Sequence, residues 1–224
     1  MMPFPGGIEA TANGTLFFSA MSALVYCMML DAPPAIRRTG VKTAAVALLA
    51  LLAFQQGGPF LLVGALALSA VGDAFLSRDG DKAFLGGLCA FLAGHLLYIV
   101  LFVVSGSTIA AFLSSPLRIA GALAMGVFAF GMLKTLWPRV DAGLRLPIAV
   151  YVLAILAMGV TSLTLDYSWA IVGAVLFMAS DALLATEKFL LSAGSPRGVW
   201  MRYAVWVLYY AGQALITLGF LLGR

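Results

Sequence analysis

The chain is poor in charge. Of its 224 residues only 10% are Asp, Glu, Lys or Arg, where a soluble domain carries roughly 25%. A water-facing surface cannot be built from so few. With 63% hydrophobic residues and a mean hydropathy of +1.06, lipid is the main solvent. Histidine and cysteine are scarce as well: one histidine, His95, and two cysteines, Cys27 and Cys89. A single histidine without a cysteine pair at ligand spacing argues against a zinc site of the ordinary kind. Both cysteines fall inside apolar runs and read as small buried apolar residues, not as a disulfide. No Gly-x-Ser-x-Gly elbow is present, so nothing supports a Ser-His-Asp hydrolase. Met1 to Gly14 holds no Lys or Arg, only Glu9, and does not read as a signal peptide. The pI near 9.3 carries no nucleic-acid footprint.

What remains is long apolar runs. In lipid only helices and closed barrels satisfy every backbone group. Barrel strands would be about 10 residues with alternating polarity. These runs are continuous and near the roughly 20 residues that cross the hydrocarbon as a helix. The expected fold is therefore all-α, a polytopic transmembrane bundle of about eight spans: 14–31, 41–56, 59–77, 83–104, 116–136, 145–163, 168–187 and 199–222, the second being the shortest. Turn-like stretches separate them at Asp31-Ala32-Pro33-Pro34, Gln55-Gln56-Gly57-Gly58-Pro59, Ser105-Gly106-Ser107 and Gly194-Ser195-Pro196. The whole of 1–224 reads as one transmembrane domain with no room for a soluble one.

Orientation follows from the 13 Lys and Arg. Arg37, Arg38, Lys42, Arg78, Lys82, Lys134, Arg139, Arg145, Lys188, Arg197 and Arg202 border the loops after spans 1, 3, 5 and 7. The other side has only Arg118 and Arg224. By the positive-inside rule the basic loops are cytoplasmic and both termini are not. Short loops and an Ala/Leu/Gly-rich composition point to a bacterial inner membrane. The basic rim suits lipid head groups.

Two aspartates sit where lipid least tolerates them. Asp73 lies in Ala70-Val71-Gly72-Asp73-Ala74-Phe75-Leu76 and Asp181 in Ala179-Ser180-Asp181-Ala182-Leu183-Leu184. A carboxylate in hydrocarbon costs at least about 2.5–3.5 kcal/mol on insertion scales, so each needs a functional or structural reason. Both fall near the cytoplasmic ends of their spans. His95 lies mid-span on the fourth, with Tyr98 on the same face. Tyr203, Trp206, Tyr210, Gln213 and Thr217 form a polar-aromatic stripe on the eighth. Lys42 opens the second and can snorkel to the interface or turn inward to a carboxylate. Each has a bland reading too: His95 as a satisfied interior histidine, Tyr98 and Tyr210 as packing residues, Gln213 as interhelical glue. The likeness of the two aspartate segments, four spans apart, suggests a four-plus-four repeat, 1–110 and 111–224.

These residues also carry a resemblance. Gly72-Asp73-Ala74-Phe75-Leu76, Phe84-Leu85-Gly86-Gly87-Leu88, Phe91-Leu92-Ala93-Gly94-His95-Leu96-Leu97-Tyr98, the run from Gly173 to Ala185 that includes Ser180 and Asp181, and Tyr209-Tyr210-Ala211-Gly212-Gln213-Ala214-Leu215-Ile216 resemble, in order, the YhhN family of membrane proteins, which includes the lysoplasmalogenases. Lys42 stands where that family carries a lysine; Thr43 follows it where the family often has proline.

The resemblance implies hydrolysis of the vinyl ether bond of a lysoplasmalogen to a fatty aldehyde and a glycerophospho-ethanolamine or -choline. The partners would be a lysophospholipid, water and membrane lipid; no cofactor is demanded, and a homo-oligomer stays open. Vinyl ethers hydrolyse by acid catalysis through an oxocarbenium ion, for which two carboxyl groups, one protonated and one not, are suited much as in glycosidases. Asp73 and Asp181 are the candidate acid–base pair. Lys42, His95, Tyr98, Ser180, Tyr210 and Gln213 are the candidate supporting or substrate-binding residues. A proton-coupled transporter and a lysolipid-binding bundle without catalysis are the alternatives.

Overall fold

The structure, a computed structural model, describes residues 2–192 and 195–223. Gly194 of the expected last turn and Arg224, counted above among the outer basic residues, lie outside them. Among the described residues there are helices and no strands: a short 3-10 turn (Gly7–Glu9), then α1 (Thr11–Met28), α2 (Ile36–Gln55), α3 (Phe60–Leu76), α4 (Asp81–Ser105), α5 (Ile109–Leu113), α6 (Pro116–Leu136), α7 (Ala142–Ser162), α8 (Ser168–Leu190) and α9 (Pro196–Leu222). Five of them, α4, α6, α7, α8 and α9, are long and apolar enough to cross a membrane by length and composition. The apolar α3 is shorter, at 17 residues.

Local chemistry sets the ends. Ala35, after Pro33-Pro34, is extended, and α2 begins at the next residue. It therefore opens five residues earlier than expected and runs for 20. The expectation that the second apolar segment is the shortest is corrected: α3 is shorter, because Pro59 starts it and Ser77 ends it. Pro116 and Pro196 open α6 and α9 at the position where a missing N–H costs nothing. The turn α5 was not anticipated; Thr108 Oγ1 caps it by accepting from the Ala111 amide at 3.3 Å. Cys89 and Cys27 correct another expectation. Both thiols are free; Cys89 is exposed and Cys27 half-buried, since each sits off the buried face of its helix.

Six helices close a ring in the order α2, α3, α4, α7, α8, α9 and back to α2. Helix α1 packs outside on α2 and α9, and α6 outside on α7 and α8. The ring's interior is the core, with Leu49, Leu62, Leu66, Tyr98, Phe102, Met158, Phe177 and Phe220 buried. Outward faces carry large exposed apolar side chains such as Leu117, Val127 and Phe130 on α6, as expected where lipid and not water is outside. At the end away from the basic loops, Arg118 donates to Ser107 Oγ (2.7 Å) and Asp166 (2.9 Å), tying the α4–α6 connection to the α7–α8 turn.

Candidate active site

Asp73 lies one turn from the end of α3, on the same buried face as Ser69, Ala70 and Gly72, and is 1% exposed. Its carboxylate meets Lys42 Nζ of α2 at 3.3 Å and accepts from the Tyr209 hydroxyl of α9 at 2.7 Å. The Lys42 ammonium also stands 5.7 Å and 6.0 Å from the ring centres of Tyr26 and Trp206, within range of cation–π attraction. Trp206 is held in place by donating Nε1–H to the Ala23 carbonyl at 2.9 Å. Of the two readings of Lys42, the structure has the inward one: a lysine paired to a carboxylate, not an interfacial anchor.

Asp181 lies on α8, buried with Phe177, Met178 and Ser180. Its Oδ2 is 3.1 Å from His95 Nε2 of α4 and accepts from the Tyr151 hydroxyl of α7 at 3.2 Å. Which of the imidazole and the carboxyl carries the shared hydrogen depends on protonation and not on heavy-atom geometry. The ring of His95 is packed between Phe177 (4.8 Å between centroids) and Tyr151 (5.3 Å). Its Nδ1 is buried without a partner among the described residues.

The remaining sequence candidates divide. Tyr98 and Gln213 meet, the hydroxyl donating to Oε1 at 2.6 Å, both fully buried. Ser180 donates to the Val205 carbonyl at 2.9 Å and also reaches the cavity described next. Tyr210 turns away: its hydroxyl meets Ser19 of α1 at 2.9 Å, and the cavity is lined by its neighbour Tyr209 instead. Tyr209 and Tyr151 were not singled out from the sequence. Tyr209 shares the three- and four-residue spacing of Trp206 and Gln213, and Tyr151 is a lone phenol in an apolar run; those were the available signals.

A cavity of about 700 Å³ brings both aspartates to one space, lined also by Lys42, Ser180, Trp206 and Tyr209. That is within the usual range of ligand sites, about 300–1,000 Å³. Helices α1, α2, α3, α4, α8 and α9 contribute the ends that lead into the basic loops, and Arg38, Arg78, Lys188 and Arg202 stand with Asp79 and Glu187 toward the mouth. A second, apolar pocket of about 80 Å³ lies between α4, α6, α7 and α8. Asp181, Leu76, Phe84, Phe91, Leu184 and Lys188 line both. Asp181 thus stands where a polar space meets an apolar one. Among the described residues no group of three or more His, Cys, Asp or Glu is placed to hold a metal ion.

An all-helical, outwardly apolar bundle with two buried acids lining one cavity is a helical membrane protein with acidic side chains in its interior. The chain belongs to the YhhN family, whose model matches residues 37–220. It is similar to the lysoplasmalogenase of Mycobacterium bovis, 37% identical over 73% of this chain and 61% of that protein. It is also similar to the rat lysoplasmalogenase TMEM86B, 36% identical over 75% of this chain and 65% of that one. Human lysoplasmalogenase TMEM86A is 27% identical over 90% of this chain and 85% of its own length. The chain spans about three-fifths of the length of the first of these. No solved structure matches it.

Proposed function

We propose that this chain is a membrane hydrolase of the lysoplasmalogenase type, cleaving the vinyl ether bond of a lysophospholipid by acid–base catalysis with Asp73 and Asp181. The observation that carries the reading is a cavity lined by both aspartates, basic at its mouth and joined at Asp181 to an apolar pocket. In a lysolipid the bond to be cut lies between a phosphorylated glycerol and a hydrocarbon chain. The mouth would hold the phosphate, the pocket between α4, α6, α7 and α8 the start of the chain, and the bond between them would lie beside Asp181.

The chemistry balances with these groups and water. One carboxyl group gives its proton to the vinyl carbon β to the oxygen, leaving an oxocarbenium ion on the α-carbon. The carboxylates stabilise this cation in surroundings where charge is weakly screened. Water adds to the α-carbon and gives a proton to a carboxylate. The resulting hemiacetal breaks its bond to the glycerol oxygen, which is protonated, and aldehyde is released. The two aspartates act as one coupled pair. His95 orients Asp181, Lys42 and Tyr209 orient Asp73, and Tyr98 and Gln213 form a buried hydrogen-bonded pair farther into the bundle.

The topology proposed with this site is eight spans, α1–α4 and α6–α9, both termini non-cytoplasmic, in a bacterial inner membrane with the cavity open to the cytoplasmic side. The excess of Lys and Arg at that end supports it. The same one-endedness argues against the transporter reading. A conduit needs polar groups free toward the other face, and there the interior is packed with Leu101, Phe102 and Phe220, while the buried Tyr98, Ser162 and Thr217 hydroxyls donate to Gln213 or to carbonyls of their own helices.

The test is aldehyde release from lysoplasmenyl-ethanolamine by the purified protein in detergent, against saturated lysophosphatidylethanolamine and the Asp73→Asn and Asp181→Asn variants. Release that requires the vinyl ether and both aspartates is expected. Full activity in either folded variant would sink the paired-acid mechanism, and no release from folded wild type would sink the hydrolase.

A further inference from the structure

The two halves of the bundle repeat in detail. The buried positions of α3 are Leu62, Ala65, Leu66, Ser69, Ala70, Gly72 and Asp73; those of α8 are Ala170, Gly173, Ala174, Phe177, Met178, Ser180 and Asp181, matching one for one at a constant separation along the chain. On α2, Ala45, Val46, Leu49 and Ala50 are likewise matched by Ala154, Ile155, Met158 and Gly159 on α7. On α4, Phe91-Leu92-Ala93-Gly94-His95 is matched by Tyr209-Tyr210-Ala211-Gly212-Gln213 on α9.

The contacts repeat with the positions. A Cβ at Gly94 would stand 3.3 Å from the Ala65 carbonyl oxygen, and one at Gly212 would stand 2.8 Å from that of Gly173, the partner of Ala65 in the alignment. The ring order α2, α3, α4, α7, α8, α9 maps onto itself when the halves are exchanged. Residues near a two-fold axis touch their own counterparts. Here Phe91 lies against Tyr209 (5.6 Å between ring centres), and Phe102 stacks on Phe220 (5.9 Å).

Under this exchange Asp73 corresponds to Asp181, and Lys42 corresponds to Tyr151. Each aspartate takes one partner from the preceding ring helix of its own half, Lys42 or Tyr151, and one from the last helix of the other half, Tyr209 or His95. At the matched contact the two differ, a lysine ammonium facing Asp73 where a phenol faces Asp181; the other partners, Tyr209 and His95, are not counterparts, since Tyr209 matches Phe91 and His95 matches Gln213.

We infer that Tyr151 is a positioning residue for Asp181, the second-half counterpart of Lys42, and that this lysine-to-phenol exchange, together with the unmatched partners Tyr209 and His95, makes two structurally equivalent aspartates chemically unlike. The inference rests on the hydrolase reading for its kinetic consequence, but not for the pairing itself. A hydrogen bond to a charged group supports about a ten- to hundredfold effect. Tyr151→Phe, which keeps the ring and removes the hydroxyl, is therefore expected to lower kcat by that factor with KM within about twofold of wild type. Tyr151→Lys gives both aspartates a lysine at the matched contact and should fall further.

The activity-independent arm is infrared spectroscopy of the purified full chain, with the carboxyl bands assigned by Asp73→Asn and Asp181→Asn. Tyr151→Phe should move only the band that Asp181→Asn removes, and Lys42→Met only the band that Asp73→Asn removes. Unchanged bands and unchanged kcat in Tyr151→Phe overturn the inference, as does Tyr151→Lys matching or exceeding Tyr151→Phe. If wild type releases no aldehyde while the bands respond in this selective way, the hydrolase reading falls and the pairing stands.

Discussion

Replacing Lys42 by Met tests the most charged contact in the protein's interior. Methionine keeps nearly the length and the apolar stem, so packing against Tyr26 and Trp206 is largely retained, and only the ammonium is lost. At 3.3 Å and an effective dielectric near 20, the attraction to Asp73 is about 5 kcal/mol. Much of this offsets the cost of burying the two charges, so the pair adds little net stability. Removing one member, however, leaves Asp73 in a site that is 1% exposed, with the Tyr209 hydroxyl as its remaining partner. Breaking a buried pair in this way costs about 3–5 kcal/mol. For a chain of this size that lowers the melting temperature on the order of 10 °C, read by tryptophan fluorescence in detergent and again in lipid nanodiscs. Lys42→Met combined with Asp73→Asn removes both charges and should recover at least half of the loss, giving a large coupling energy in a double-mutant cycle. A Lys42→Met protein that melts within about 2 °C of wild type would refute the argument, because the lysine would then be solvated at the membrane surface and not paired inside.

Four further outcomes are expected. Tyr98→Phe strands the buried Gln213 carbonyl and should cost about 1–3 kcal/mol; Tyr98→Phe with Gln213→Leu should melt higher than Tyr98→Phe alone, and equal melting would deny the bond. Gly173→Ala places a methyl 2.6 Å from the Gly212 carbonyl oxygen and should lose about 1–3 kcal/mol through displaced backbone. Gly126→Ala on α6, with nothing within 4 Å, should be neutral or slightly stabilising; equal effects at the two glycines would contradict the α8–α9 packing. Ala185→Phe narrows the apolar pocket and should raise KM for long-chain lysolipids more than for short ones in the aldehyde assay, a uniform change arguing that the chain lies elsewhere. In intact cells carrying a cysteine-free background, an impermeant maleimide should label Ser107→Cys, and should label Asp79→Cys only after permeabilisation; the reverse order would invert the proposed topology.

Much of this molecule is legible in the sequence because lipid is an unforgiving solvent. Scarce charge and continuous apolar runs leave helices as the only economical answer, and the helix ends follow prolines and small turn residues, as at Pro59, Pro116 and Pro196. The same intolerance marks Asp73 and Asp181, since a charge in hydrocarbon must have a reason wherever it occurs. The structure adds what one-dimensional spacing cannot carry. Adjacent helical residues are rotated by about 100° about the axis, so whether Tyr209 or Tyr210 faces the cavity depends on how α9 is turned against α2 and α8; packing turns Tyr210 toward Ser19 and Tyr209 toward Asp73. Tyr151 could not be distinguished from an ordinary packing aromatic until α7 was set beside α4 and α8. The inward turn of Lys42 was likewise one of two open readings until Asp73, Tyr26 and Trp206 were found around it. The sequence by itself determined the solvent, the helices and which side chains are too costly to be idle, because those are transfer energies of single residues. Only the tertiary structure decided which of them meet, because contacts across helices distant in the chain depend on the rotation and neighbour of every helix in the ring.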